Sequence, residues 1–136
     1  MTIVVNAYEL VNDRGSLSWR NKYNGGVGNK SKDDQHAERL AYKSILTRSP
    51  SVIHLVQNAF PCSKCDDFFK SASIPIVMLV TANEGKYSSE HGLPANAACP
   101  VVIYYYNGTK KMVGMWSGRD SEPPAGFPAH AEVQED

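Results

Sequence analysis

Two apolar blocks constrain this chain more than anything else in it: Val52-Ile53-His54-Leu55-Val56-Gln57 and Ile74-Pro75-Ile76-Val77-Met78-Leu79-Val80-Thr81. Each is too short for a buried helix, rich in β-branched residues, and nearly continuous rather than alternating. That is the pattern of a strand covered on both faces. Pro61 opens a helical segment between them, at the first helical position, where its missing N–H costs nothing. Asp66 and Asp67 follow early in that helix, favourably placed for its dipole. Strand, helix, strand in this order predicts a right-handed crossover with parallel strands, and therefore an α/β domain.

The remaining elements build around that unit. Residues 3–11 read as a strand, Asn12 to Gly15 as a turn and residues 16–23 as the hairpin partner. A glycine loop, residues 24–30, leads to a helix over 32–47, with Ser31 as N-cap and Asp34 completing a capping pair. Ala37, Leu40, Ala41, Ser44 and Ile45 form its packing stripe. Gly85, Gly92 and Pro94 break residues 83–99, so strand 101–106 is expected to run antiparallel to 74–81. Residues 101–106 and 110–116 flank Asn107-Gly108, a strong hairpin signal. The order β-β-α-β-α-β-β-β predicts a three-layer α/β/α domain, its mixed five-stranded sheet carrying an N-terminal hairpin and C-terminal strands. The domain is expected over 1–119, with 120–136 as an acidic, proline-rich, irregular tail.

Composition removes several classes. A chain of 136 residues is one domain by length. No apolar run approaches the ~18 residues of a membrane span, so no membrane partner is expected. The start, MTIVVNAYELVND, has no basic region or cleavage-like site, so a secretory signal is not expected. Three cysteines, Cys62, Cys65 and Cys99, are too few and odd in number for a disulfide scaffold. A glycine-rich loop such as residues 24–30 can cradle phosphate, but the nucleotide-binding glycine patterns are absent. Net charge is zero, yet Asp120, Glu122, Glu132, Glu135 and Asp136 all lie in the tail; without them 14 basic residues face nine acidic ones, a body of +5. Such a surface is either merely solvated or able to attract phosphates.

The chemistry sits in His36-Ala37-Glu38 and Pro61-Cys62-Ser63-Lys64-Cys65, each opening a helix. Cys62 and Cys65 share a helix face at i and i+3, whereas i and i+2 do not. A β-α-β-α arrangement can bring both helix N-termini to one sheet edge, where one imidazole and two thiolates meet. Three soft ligands with an open fourth position suit catalytic zinc. Zinc lowers the pKa of bound water to about 7, and Glu38, not itself a ligand, would shuttle the proton.

The H-x-E…P-C-x-x-C pattern is the signature of zinc nucleobase deaminases. The chain resembles the cytidine-deaminase-like superfamily, and within it is most similar to the nucleic-acid deaminase domains of bacterial polymorphic toxins. The motif core covers residues 36–65, and the element order extends the likeness to roughly 1–116. The resemblance implies that His36, Cys62 and Cys65 hold zinc, that Glu38 is the acid/base, and that the Ala37 N–H and Phe60 carbonyl contact the base edge. It implies hydrolytic deamination of cytosine to uracil in DNA, single-stranded for preference, because a duplex base must first be flipped out. Duplex DNA, RNA and free cytidine or nucleotide are the alternative substrates. A partner immunity protein and a cytoplasmic site of action, after delivery as a toxin domain, follow from the same likeness.

Other readings compete. Strand, CxxC, helix is also the layout of a thioredoxin-like redox site, and a zinc-binding module without enzymatic activity fits the same residues. Trp19, Tyr23 and Asn24, beside the glycine loop, are candidates to stack on or contact the base, with hairpin packing the alternative for Trp19 and Asn29 a competitor of Asn24. Arg20, Lys22, Lys30 and Lys32 are candidate phosphate contacts. His54 reads as a core histidine, His91 and His130 as solvated, and Cys99 as a buried small residue; Trp116 is open to either a packing or a functional role.

Overall fold

A computed structural model describes residues 3–26, 36–84, 87–114 and 123–134. Its elements are β1 (Val5–Asp13), β2 (Ser16–Gly25), α1 (Ala37–Leu46), β3 (Ile53–Gln57), α2 (Ser63–Lys70), β4 (Ile76–Val80), a 3₁₀ helix (Ser88–His91), β5 (Val101–Tyr106) and β6 (Thr109–Gly114). The expected order is present. The sheet has six strands, in the order β2-β1-β3-β4-β5-β6, rather than five, because both hairpins join the central pair in one sheet. Among the described strands only β3 and β4 are parallel; β5 runs antiparallel to β4, as the broken segment before it predicts. Both hairpin turns use positive φ in succession, Arg14 and Gly15 in the first and Asn107 and Gly108 in the second. That backbone matches the right-handed twist of paired strands.

The layering differs from expectation. Both described helices pack on one face, where Ala37, Ala41, Tyr42, Ile45, Cys65 and Phe69 meet Val5, Ala7, Leu55, Met78 and Ile103. The opposite face carries Tyr8, Trp19, Val56, Val77, Leu79 and Tyr104, and the extended segment 123–134 covers it through Phe127, Ala131 and Val133. Among the described residues the third layer is therefore an irregular chain segment, not a helix. Helix boundaries shift too. α1 starts at Ala37 with His36 as N-cap, not at residue 32; the expected cap Ser31 lies outside the described residues. Pro61 precedes the N-cap of α2, which is Cys62.

Two local features aim side chains at the site. The buried stripe of α1 is Ala37, Glu38, Ala41, Tyr42 and Ile45, with Leu40 and Ser44 only half-buried. Turned this way, the helix points Glu38 at the sheet. In β2 a bulge leaves Lys22 without an opposite residue, since Ala7 pairs with Tyr23 and Tyr8 with Asn21. An extra residue reverses which face every later side chain takes. Trp19 thus faces the segment 123–134, and Tyr23, four residues on, faces the helices.

Candidate metal centre

α1 and α2 begin at the same end of the sheet, beyond the C-terminal ends of the parallel strands β3 and β4. Neither N-cap residue makes a side-chain capping bond. The positions usually held by Ser, Thr or Asp are occupied by His36 and Cys62, so two dipole-positive helix ends converge on soft donors. His36 Nδ1 is 3.6 Å from Cys62 Sγ and 3.3 Å from Cys65 Sγ. The three donor atoms all lie within 4.8 Å of one another, a group that can hold a metal ion.

Glu38 stands beside this group, with Oε1 3.7 Å from His36 Nδ1. It is buried, at 6% exposure. Its second oxygen accepts a hydrogen bond of 3.3 Å from Gln57 Nε2, which also donates to the Ala59 carbonyl at 2.7 Å. Gln57 ends β3 on the helix face, beside Leu55 and Ile53, and its Oε1 has no partner among the described residues. Burial pushes the Cys65 thiol well up, with the neighbouring Glu38 carboxylate adding to the effect. A nearby cation would act in the other direction.

Arg39 ties the two helix starts together. Its Nη2 donates to the Lys64 carbonyl at 3.0 Å, inside the CxxC turn, and its guanidinium lies 4.3 Å from the centre of the Phe68 ring. On the far side of α2, Asp66 accepts from Tyr105 Oη at 2.7 Å and from Lys110 Nζ at 2.9 Å. Lys110 Nζ is also 2.7 Å from His91 Nδ1, while His91 Nε2 is 2.7 Å from the Pro61 carbonyl. Its side chain is fully buried, so the expectation that His91 is solvated is corrected. A titratable residue among Gly, Ser and Pro gives no periodic pattern from which its burial could be read.

The other expected residues divide sharply. Ala37 and Phe60 are buried at the site, Phe60 with its ring 5.5 Å from that of His91. Tyr23 shares the site's face, its ring laid over Gly25, where a Cβ would come within 2.5 Å. Trp19 is on the opposite face, 4.9 Å from the His54 ring, its Nε1 donating to the Ala131 carbonyl at 3.1 Å. That removes it from the site. Asn24 is exposed and pairs with Asn6 in the row of Val56, so alternation turns it away as well. Lys22 lies 3.7 Å from Glu9, a carboxylate that also holds Arg48 at 3.0 Å, and Arg20 pairs with Glu9 in the register. Glu9 sits opposite Ile53, four residues or about 13 Å of strand from Gln57. Lys22 and Arg20 thus gather around Glu9, away from the metal group. Lys30, Lys32, Asn29 and Trp116 lie outside the described residues. Cys99 is half-buried.

Comparison with protein-family models, curated proteins and solved structures finds no match to this chain. The functional reading therefore rests on the residues and geometry of the site.

Proposed function

We propose that this protein is a bacterial toxin-type, zinc-dependent hydrolytic deaminase that converts cytosine to uracil in DNA, with single-stranded DNA as the favoured substrate. The observation that carries the proposal is a buried carboxylate, Glu38, 3.7 Å from the nitrogen of a His-Cys-Cys donor group without being one of the donors. Zinc is compatible with the spacing of the nitrogen from each sulfur. Bonds of about 2.1 Å to nitrogen and 2.3 Å to sulfur at tetrahedral angles put N and S about 3.6 Å apart, against 3.6 and 3.3 Å here. One imidazole and two thiols leave the fourth position open, the arrangement of a catalytic rather than a structural site. His36, Cys62 and Cys65 would hold the zinc ion, which would supply a water-derived nucleophile at neutral pH.

The chain's own residues then handle protons and orientation. Glu38 takes one proton from the attacking water and passes it to N3 as the new C4–O bond forms. It then takes the remaining proton from the C4 hydroxyl and delivers it to the amine, so that the C4–N bond breaks, ammonia leaves and C4 becomes the carbonyl of uracil. Gln57 holds one oxygen of Glu38, which leaves Oε1 for transfer. The Ala37 N–H and the Phe60 carbonyl are assigned to the base edge, and Tyr23 to the wall of the pocket. Burial of Glu38 serves this role, because proton transfer inside a water-poor site is less diverted by solvent. The substrate choice is tested by offering zinc-loaded protein the same cytosine in single-stranded DNA, duplex DNA, RNA and free cytidine. The proposal expects the single strand to react fastest and the duplex more slowly, since flipping costs a few kcal/mol. Faster turnover of cytidine than of any polymer replaces the substrate and keeps the chemistry. An immunity protein is proposed as the partner that blocks this site.

A further inference from the structure

We infer that the 3₁₀ helix Ser88–His91 is a clamp on the metal-ligand turn, and that His91 is the positioning residue that sets Cys62 and Cys65; the inference rests on the zinc reading but not on deamination. Two contacts from this short element grip the start of α2 on both sides of Cys62. His91 Nε2 meets the Pro61 carbonyl at 2.7 Å, one residue before the cysteine. Glu90 Oε1 accepts from the Ser63 backbone N–H at 3.2 Å, one residue after it. The Pro61 oxygen can only accept, so Nε2 carries the proton. Nδ1 is then the acceptor for Lys110 Nζ at 2.7 Å.

The chain of contacts continues past the second cysteine. Lys110, on the edge strand β6, also donates to Asp66 Oδ2 at 2.9 Å, and Asp66 directly follows Cys65 in α2. Tyr105 Oη fixes the other oxygen of Asp66 at 2.7 Å. Pro61 and Asp66 are thus joined through His91 and Lys110, closing a ring of contacts around the turn that bears both sulfurs. Outer contacts of this kind orient ligands without touching the metal, and their loss typically weakens metal affinity or activity 10- to 100-fold. Glu90 adds a carboxylate at the helix N-terminus, where the dipole favours it.

The test measures zinc affinity by competition with a chelator, and the visible spectrum of the cobalt-substituted protein, for the full chain and three variants. His91→Leu fills the space but removes both hydrogen bonds. Its zinc affinity is expected to fall at least tenfold, with an altered thiolate–cobalt spectrum. His91→Gln can still donate to the Pro61 carbonyl and is expected to return within about threefold of wild type. Glu90→Ala is a surface change that leaves the fold secure even where His91→Leu does not fold. It is expected to weaken zinc two- to fivefold, the effect of one helix-terminal carboxylate. Equal affinity in wild type, Glu90→Ala and whichever His91 variants fold overturns the clamp. So does equal weakening by Leu and Gln, which would make His91 a packing residue. A wild type that binds no zinc removes the metal reading together with the clamp. A wild type that binds zinc but forms no uracil removes the deaminase reading alone.

Discussion

Each face of the sheet has its own histidine, fully buried His54 on one and half-buried His36 on the other, and the two are used in opposite ways. On the face covered by segment 123–134, both nitrogens of His54 are taken by backbone: Nδ1 lies 3.0 Å from the Val77 carbonyl, and Nε2 accepts from the Gln134 N–H at 3.0 Å. Desolvation lowers its pKa to about 4, so it stays neutral and structural. On the helix face, His36 Nδ1 meets two sulfurs and stands 3.7 Å from a carboxylate. The partners of the ring nitrogens, backbone groups for His54 and sulfurs for His36, separate the core histidine from the candidate ligand. The same contrast separates Trp19 from Tyr23, which a single bulge sends to opposite faces.

The contrast predicts losses of different kinds. Replacing Cys65 by Ala should have the largest effect, because it removes a buried donor from a group that joins two helix starts. Zinc should fall from close to one ion per chain to nearly none, and stability should fall by several kcal/mol, as metal binding contributes directly to folding. Elemental analysis and thermal unfolding read both. His54→Ala should instead cost about 3 kcal/mol, from the cavity and two stranded backbone groups, with zinc content unchanged. Zinc loss in that variant would join the two faces that the structure separates.

Acid should act through His54 in a defined window. Its folded pKa, about 4, lies below the ordinary value of 6.5. The unfolded chain therefore binds the proton first. The contribution is fully present above pH 6.5, is lost as pH falls toward 4, and levels off below it. The span is about 3 kcal/mol. Comparing wild type with His54→Phe by denaturant unfolding at pH 7.5 and 5 isolates this term, since other groups cancel in the difference. The variant should show a flatter dependence on pH; parallel curves contradict the assignment.

Gln57 gives a finer test. Gln57→Met should lower kcat about 10- to 100-fold, with KM and zinc content little changed, because the N–H that holds Glu38 is gone. Gln57→Glu keeps the shape but offers an acceptor to a carboxylate, and should be at least as damaging. If the Glu variant matches wild type, the hydrogen bond is not what orients Glu38. Smallest of all is Lys22→Gln, expected to change the salt dependence of turnover on long oligonucleotides less than twofold, because Glu9 already engages that lysine.

Much of this was legible in the sequence. The apolar blocks predict β3 and β4, Asn107-Gly108 predicts the second hairpin, and the spacing of His36, Cys62 and Cys65 predicts one donor group. What escaped depended on long-range contacts or on a one-residue shift. The bulge at Lys22 leaves no mark in residue type, so Trp19 and Asn24 could not be told from Tyr23. The turn of α1 that buries Glu38 is decided by packing on Gln57, because a glutamate in an apolar stripe reads as a break in it. His91 and Gln57 belong to no motif; only the fold brings them to the site. The segment 123–134 is proline-rich and has no strand or helix periodicity, yet Val133 is buried under the sheet, a contact that no local pattern announces.

In the proposed reaction Glu38 performs the proton chemistry beside a metal it does not bind. Uracil formation on a cytosine-containing single strand, measured with zinc content for wild type and Glu38→Ala, tests it directly. A positioned acid/base contributes about 10²- to 10⁴-fold for one transfer, and more when it acts repeatedly. The expected result is close to one zinc in both proteins and no detectable uracil from the variant. A Glu38→Ala protein that keeps near-wild-type turnover removes Glu38 as the acid/base.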